Sequence, residues 1–263
     1  MSAYFSDYQL TFAPKEENLT PRIKVAAVSY LNTKPLLYGI EKSRLINEID
    51  LVVDYPSMLA KRLQEGSIDL ALLPVAAMHG IKGAHIVSDY GIASDGNVVS
   101  VALFSHVPLA DVKSVYLDYQ SRTSVKLAQV LLQNYWKQKV EYKQADEHFI
   151  DSIKGDTAGV IIGDRALMCL PDFEYVYDLS AAWKAWTGLD FIFAAWVANK
   201  QLPADFLVKF NAANSFGINH FDEVIAQNPF PAYDLKTYYT KNIKYFLDEG
   251  KREGLKRFME LSA

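Results

Sequence analysis

Residues 23–28, IKVAAV, form a short apolar run that empties into the polar, proline-containing stretch SYLNTKPL at 29–36. The same succession recurs down the chain, and it limits the fold more than any other feature. Apolar runs at 23–28, 49–54 and 68–73 are each followed by a helix signal, at Thr33, at Pro56-Ser57 and after Pro74. That βαβαβ rhythm predicts a parallel, doubly wound sheet with helices on both faces. After the β-branched run VVSVALF at 98–104 the alternation resumes, with strands expected at 114–118, 140–143, 159–162 and 175–177 and a long helix over 121–136. A strand at 191–198 follows, and from Pro203 onward the spacing of Phe206, Phe210, Ala213 and Gly217 is helical. The expectation is an α/β protein of two lobes with a ligand cleft between them. Residues 21–101 plus 198–263 would form the first lobe and 102–197 the second, with residues 1–20 as a flexible arm.

Composition narrows the function. Half of the 263 residues are hydrophobic, enough for a sizeable core. The net charge of −4 gives no footprint for nucleic acid or an anionic membrane. A single cysteine, Cys169, excludes an internal disulfide and a CxxC metal pair, and its apolar neighbours mark a buried thiol. No apolar run is long enough to span a bilayer, and residues 1–20 lack a secretory signal, so the protein is expected in the cytoplasm. GxSxG, HExxH, Walker and GxGxxG patterns are absent, and none of the five histidines pairs at helical ligand spacing. No metal or cofactor is expected. The aromatic stretch from Tyr175 to Phe193 reads as core or lobe-interface packing.

Ligands of open α/β sheets bind beyond the carboxyl ends of strands. The residues there share one character: Ser29, Tyr30 and Asn32; Ser57; Ser94, Asp95 and Gly96; Ser121, Arg122, Thr123 and Ser124; and Asp164. QSRTS opens the long amphipathic helix, and a helix start offers unpaired N–H groups to an anion. Three hydroxyls and a guanidinium there would complete a carboxylate or phosphate cradle. The plainer alternative is that Ser121 caps the helix and Arg122 faces water.

SYLNTKPL, DYPSMLAKRL, GSIDLALLPV, GIASDGNVVSVALFS, LDYQSRTSVKLAQVLL, IIGDRAL and VYDLSAAWKAWTGLDFIFAAW occur in that order. Together they resemble the chorismate dehydratases of the futalosine route to menaquinone, over about residues 23–198. One departure is LPVAAM, where the family pattern carries a serine and an acidic residue after the proline. The resemblance implies a fold similar to type 2 periplasmic binding proteins, used as a lyase. It implies dehydration of chorismate, a small dicarboxylate, to 3-[(1-carboxyvinyl)oxy]benzoate, without a cofactor. Asn32 would orient the reacting region, and SRTS with Ser57 or Ser94 would hold the carboxylates. The base would be the substrate's enolpyruvyl carboxylate, with Asp164 and Asp95 as protein alternatives. Rival expectations are the related enzyme that forms 1,4-dihydroxy-6-naphthoate and a non-catalytic solute-binding protein for a small carboxylate. Monomer and homodimer both stand open.

Overall fold

A computed structural model describes residues 22–54 and 56–262, and for Pro56 and Ser57 the backbone alone. The arm expected over residues 1–20 and the side chain of Ser57 lie outside the described residues.

The first apolar runs form β1 (Ile23–Ala27), β2 (Ile49–Val53) and β3 (Leu70–Pro74). They pair in parallel in the order β2-β1-β3. Val25 to Ala27 and Leu70 to Leu73 are buried, as strands covered on both faces must be. Helix α1 (Lys34–Lys42) carries Pro35 in its first turn, which the fixed φ suits, and α2 (Pro56–Gln64) follows β2.

Sequence patterning passes over the next element. β4 (His85–Ser94) is the longest strand, interrupted by Ser88, Asp89 and Gly91. It is bulged where it pairs, which hides a period of two. The chain then crosses to a second sheet at β5 (Val101–Ser105), three residues later than the expected strand start. That sheet continues with β6 (Ser114–Leu117), α3 (Arg122–Val130), β7 (Glu141–Gln144), β8 (Thr157–Ile162), α4 (Gly163–Cys169), β9 (Tyr175–Asp178) and α5 (Leu179–Thr187). β10 (Phe191–Ala198) returns to the first sheet and is followed by α6 (Ala204–Ile218), α7 (Phe221–Gln227), α8 (Leu235–Thr237), β11 (Lys244–Phe246) and α9 (Glu249–Ser262).

The sheet orders are β11-β4-β10-β3-β1-β2 and β7-β6-β8-β5-β9. Each contains three adjacent parallel strands, flanked by a strand running the other way: β10 beside β3, and β5 beside β8. The all-parallel expectation is therefore corrected to two mixed sheets, because the two strands that follow the crossings enter against the local direction. β10, assigned from sequence to the second lobe, pairs wholly within the first sheet, and β11 interrupts the helical tail.

Helix α6 lies directly on α1. A Cβ on Gly39 would meet the Ala213 carbonyl oxygen at 1.9 Å, and one on Gly217 would meet the Pro35 carbonyl oxygen at 1.8 Å. Only glycine permits that approach. The aromatic stretch is core: Trp183 of α5 is buried edge-on against Phe191 and Phe258, at 5.4 and 6.2 Å between ring centroids. One apolar cluster continues through both sheets, so the two halves share a core.

Candidate active site

Strand ends from both sheets enclose a cavity of about 590 Å³, counted to its open mouth. Tyr30, Asn32 and Thr33 enter from behind β1, and Pro74 ends β3. Val98 and Ser100 come from the crossover, Gln120, Ser121 and Ser124 from behind β6, and Gly163 from behind β8; Phe193 and Ala194 of β10 complete an apolar wall. Among the described residues, no charged side chain belongs to this lining. What faces a ligand is hydroxyl, amide and apolar surface.

The polar groups are held in place from behind. The Thr33 hydroxyl donates to Asn32 Oδ1 at 3.2 Å. The Tyr238 hydroxyl donates to Ser100 Oγ at 2.8 Å and is also hydrogen-bonded with the Asn32 side chain; burial pushes its ionisation far up, so it stays a neutral donor. Tyr30 donates to Gln120 Oε1 at 2.9 Å, joining the tip of one sheet to the tip of the other. Burial, followed by the nearby Asp118 charge, pushes the Tyr30 hydroxyl up to about 12.

Beneath the lining, Asp118 ties two tips together. It accepts from the Gln120 and Ile162 amides at 2.9 and 3.2 Å, and from Arg165 Nη2 at 2.7 and 2.9 Å. Burial pushes its carboxyl up, against the opposing pull of Arg165. Asp164 Oδ1 accepts the Leu31 amide at 3.0 Å, fixing the turn that carries Asn32; desolvation raises this carboxyl too. Gly163 has φ of 65°, and a Cβ there would touch the Tyr30 ring at 3.4 Å. Glycine thus supplies both the backbone angle and the room for Tyr30.

Of the residues singled out by sequence, Tyr30, Asn32, Ser121 and Ser124 converge on the cavity. Ser121 caps α3, accepting the Ser124 amide at 3.1 Å and donating to Ser124 Oγ at 2.9 Å, so capping and cavity lining coincide in one residue. The others lie elsewhere. Ser29 is exposed and accepts from Lys34 Nζ at 2.8 Å. Ser94 is buried in a turn, bonded to the Gly96 backbone at 2.9 Å. Asp95 faces Lys244 at 3.4 Å. Arg122 is exposed on an outer groove with His79 and Lys126, since the 100° step per helical residue turns it away from Ser121. Thr123 is buried and accepts the Ala76 amide at 3.0 Å, anchoring α3 to the loop behind β3. Asp164 acts from beneath the lining. Cys169 is half-buried rather than buried, with its thiol pushed up by desolvation.

Sequence reasoning missed Ser100, Gln120, Gly163 and Tyr238. Ser100 lay inside an apparent strand, and Tyr238 in an apparently featureless helical tail; nothing local marks either. Gln120 and Gly163 directly follow strands, a signal that was available. Among the described residues no three His, Cys, Asp or Glu side chains gather where they could hold a metal ion, and no helix is long and apolar enough to cross a membrane.

Comparison with known proteins agrees with this architecture. The crystal structure of an Archaeoglobus fulgidus protein superposes with a TM-score of 0.74 at 15% identity, covering 92% of this chain and 96% of that one. A Candida albicans protein described as having the generic periplasmic binding protein fold gives a TM-score of 0.61 at 14% identity, covering 92% and 90%. These two likenesses establish the two-lobe periplasmic-binding-protein fold. In sequence, the chain is 26% identical to a chorismate dehydratase of Thermus thermophilus, over 88% of this chain and 92% of that protein. It is 29% identical to a chorismate dehydratase of Campylobacter jejuni, over 89% and 94%. A family model described as menaquinone biosynthesis matches residues 23–263, and the chain belongs to that family.

Proposed function

We propose that this protein is a hydro-lyase that removes water from chorismate to give 3-[(1-carboxyvinyl)oxy]benzoate in the futalosine route to menaquinone. The observation that carries the reading is the convergence of Asn32, Ser100, Ser121 and Ser124 on one cavity walled by strand tips from both sheets. The two relatives named chorismate dehydratases support it.

A dianion in such a cavity is held by neutral donors. The first turn of α3, with its unpaired amides and the Ser121 and Ser124 hydroxyls, suits one carboxylate. Asn32 suits the reacting region, where its amide orients the ring and assists the departing hydroxyl. The proton lost from C3 and the hydroxide lost from C4 leave together as one water, and the ring becomes aromatic. That thermodynamic pull lessens what the protein must supply. Asp164 is engaged with the Leu31 amide and Asp95 with Lys244, and neither lines the cavity. With both carboxylates so engaged, the substrate's own enolpyruvyl carboxylate is the base of this reading.

The test is the ultraviolet spectrum of chorismate mixed with purified protein. Growth of an aromatic product spectrum at a protein-dependent rate, lost in Asn32→Ala with the fold intact, is the expected result. Saturable chorismate binding with an unchanged spectrum would reduce the protein to a binder and refute the proposal.

A further inference from the structure

The chain passes from the first sheet to the second through a strained turn at the cavity wall. Val99 has φ of 58°, and the Ser100 amide donates to the Val98 carbonyl at 2.7 Å. Together these define a γ-turn of the left-handed kind, a conformation that a β-branched residue rarely occupies. Both neighbours of the strained residue, Val98 and Ser100, line the cavity, whereas Val99 does not. Strain of this sort persists only where the surroundings enforce it.

The enforcing group is Asp178, the last residue of β9. Its Oδ2 accepts the Val99 amide at 2.7 Å. Its Oδ1 accepts the Ser180 and Ala181 amides at 2.9 and 3.0 Å, capping α5. One carboxylate thus serves two masters, with one oxygen for the helix and one for the turn. Once the turn is set, the Ser100 carbonyl accepts the Gly163 amide at 2.8 Å and Ser100 Oγ accepts from Tyr238. On the far side, Asn242 donates to the Asn97 carbonyl at 3.0 Å.

We infer that Asp178 is a positioning residue for the reaction: by holding Val99 in its left-handed turn it aims the Ser100 hydroxyl and the Val98 side chain into the cavity. This rests on the proposed dehydration for its kinetic consequence, but not for its geometry. It explains why the crossover, although a connection between two sheets, presents a fixed wall.

Asp178→Asn tests it. Asparagine caps helices as well as aspartate does, so α5 keeps its Oδ1 acceptor. The second arm becomes an NH2 group that donates and cannot accept the Val99 amide. The expected result is a fall of about tenfold or more in kcat/KM with no loss of helical signal or cooperative unfolding, matching the loss of a charge-assisted hydrogen bond. Adding Val99→Gly to that variant removes the Cβ that resists the turn and restores kcat/KM to within about threefold of wild type. A mere capping role predicts neither the fall nor the rescue. Amide hydrogen exchange at Ser100 reads the same clamp without substrate: its protection drops about tenfold in Asp178→Asn and returns in the double variant. Unchanged Ser100 protection in Asp178→Asn, or a kinetic loss that Val99→Gly does not recover, overturns the inference. If wild-type protein fails to turn over chorismate, the proposed function falls, and the exchange measurement alone decides for or against the clamp.

Discussion

Replacing Ser121 by aspartate separates the two roles that the structure gives this residue. As a helix cap, Asp is as good as Ser, so the bond to the Ser124 amide survives and stability changes by less than about 0.5 kcal/mol. As part of an anion cradle, Asp is a severe error. A carboxylate at the Ser121 position would stand about 4 Å from a bound substrate carboxylate; at an effective dielectric of about 20 that repulsion is about 4 kcal/mol. Since about 1.4 kcal/mol is a tenfold change, the expected loss is about a thousandfold in kcat/KM. Ser121→Asn provides the uncharged control, with the cap kept, similar bulk and no repulsion, and should lose far less than the aspartate variant. The assay is chorismate-dependent absorbance change at several substrate concentrations, beside urea unfolding of each variant. A Ser121→Asp protein that folds normally and keeps kcat/KM within about tenfold of wild type would show that the start of α3 does not hold a substrate carboxylate.

Two further predictions follow from the same geometry. Arg122→Ala should leave kcat/KM within about twofold of wild type, because an exposed side chain on the outer groove touches neither the lining nor its supports; a large rise in KM would return the guanidinium to the cradle. Burial raises the Asp164 carboxyl, so the folded state binds its proton more tightly than the unfolded state does. Its contribution is therefore present below about pH 4, the ordinary aspartate range, and is lost as pH rises through the higher folded value. Asp164→Asn should gain stability relative to wild type as pH climbs through that window. A difference between the two urea midpoints that does not vary with pH would refute the assignment.

Much of the architecture was legible because it is written locally. The apolar runs at β1, β3 and β8 are buried on both faces, and a continuous hydrophobic stretch needs no partner to be recognised. β4 escaped because its hydrogen-bonded neighbours, β10 and β11, lie far along the chain and its bulges break the alternation. At the site, Asn32, Ser121 and Ser124 were legible as polar residues placed just behind strands. Ser94 obeyed the same rule and proved to be turn chemistry, since a hydroxyl two residues from a backbone amide bonds locally when it can.

By itself, then, the order of residues determined two α/β units, a helix start at Ser121 and a polar, hydroxyl-rich collar at the strand tips. These depend on periods of two and 3.6 residues and on neighbours a few positions apart. Only the tertiary structure decided that Arg122 looks outward while Ser121 and Ser124 look in, that Asp178 grips the crossover, and that Tyr238 meets Ser100 across 138 residues of chain. Such pairings depend on how sheets cross and helices rotate when the shared core closes, and no local pattern encodes that rotation.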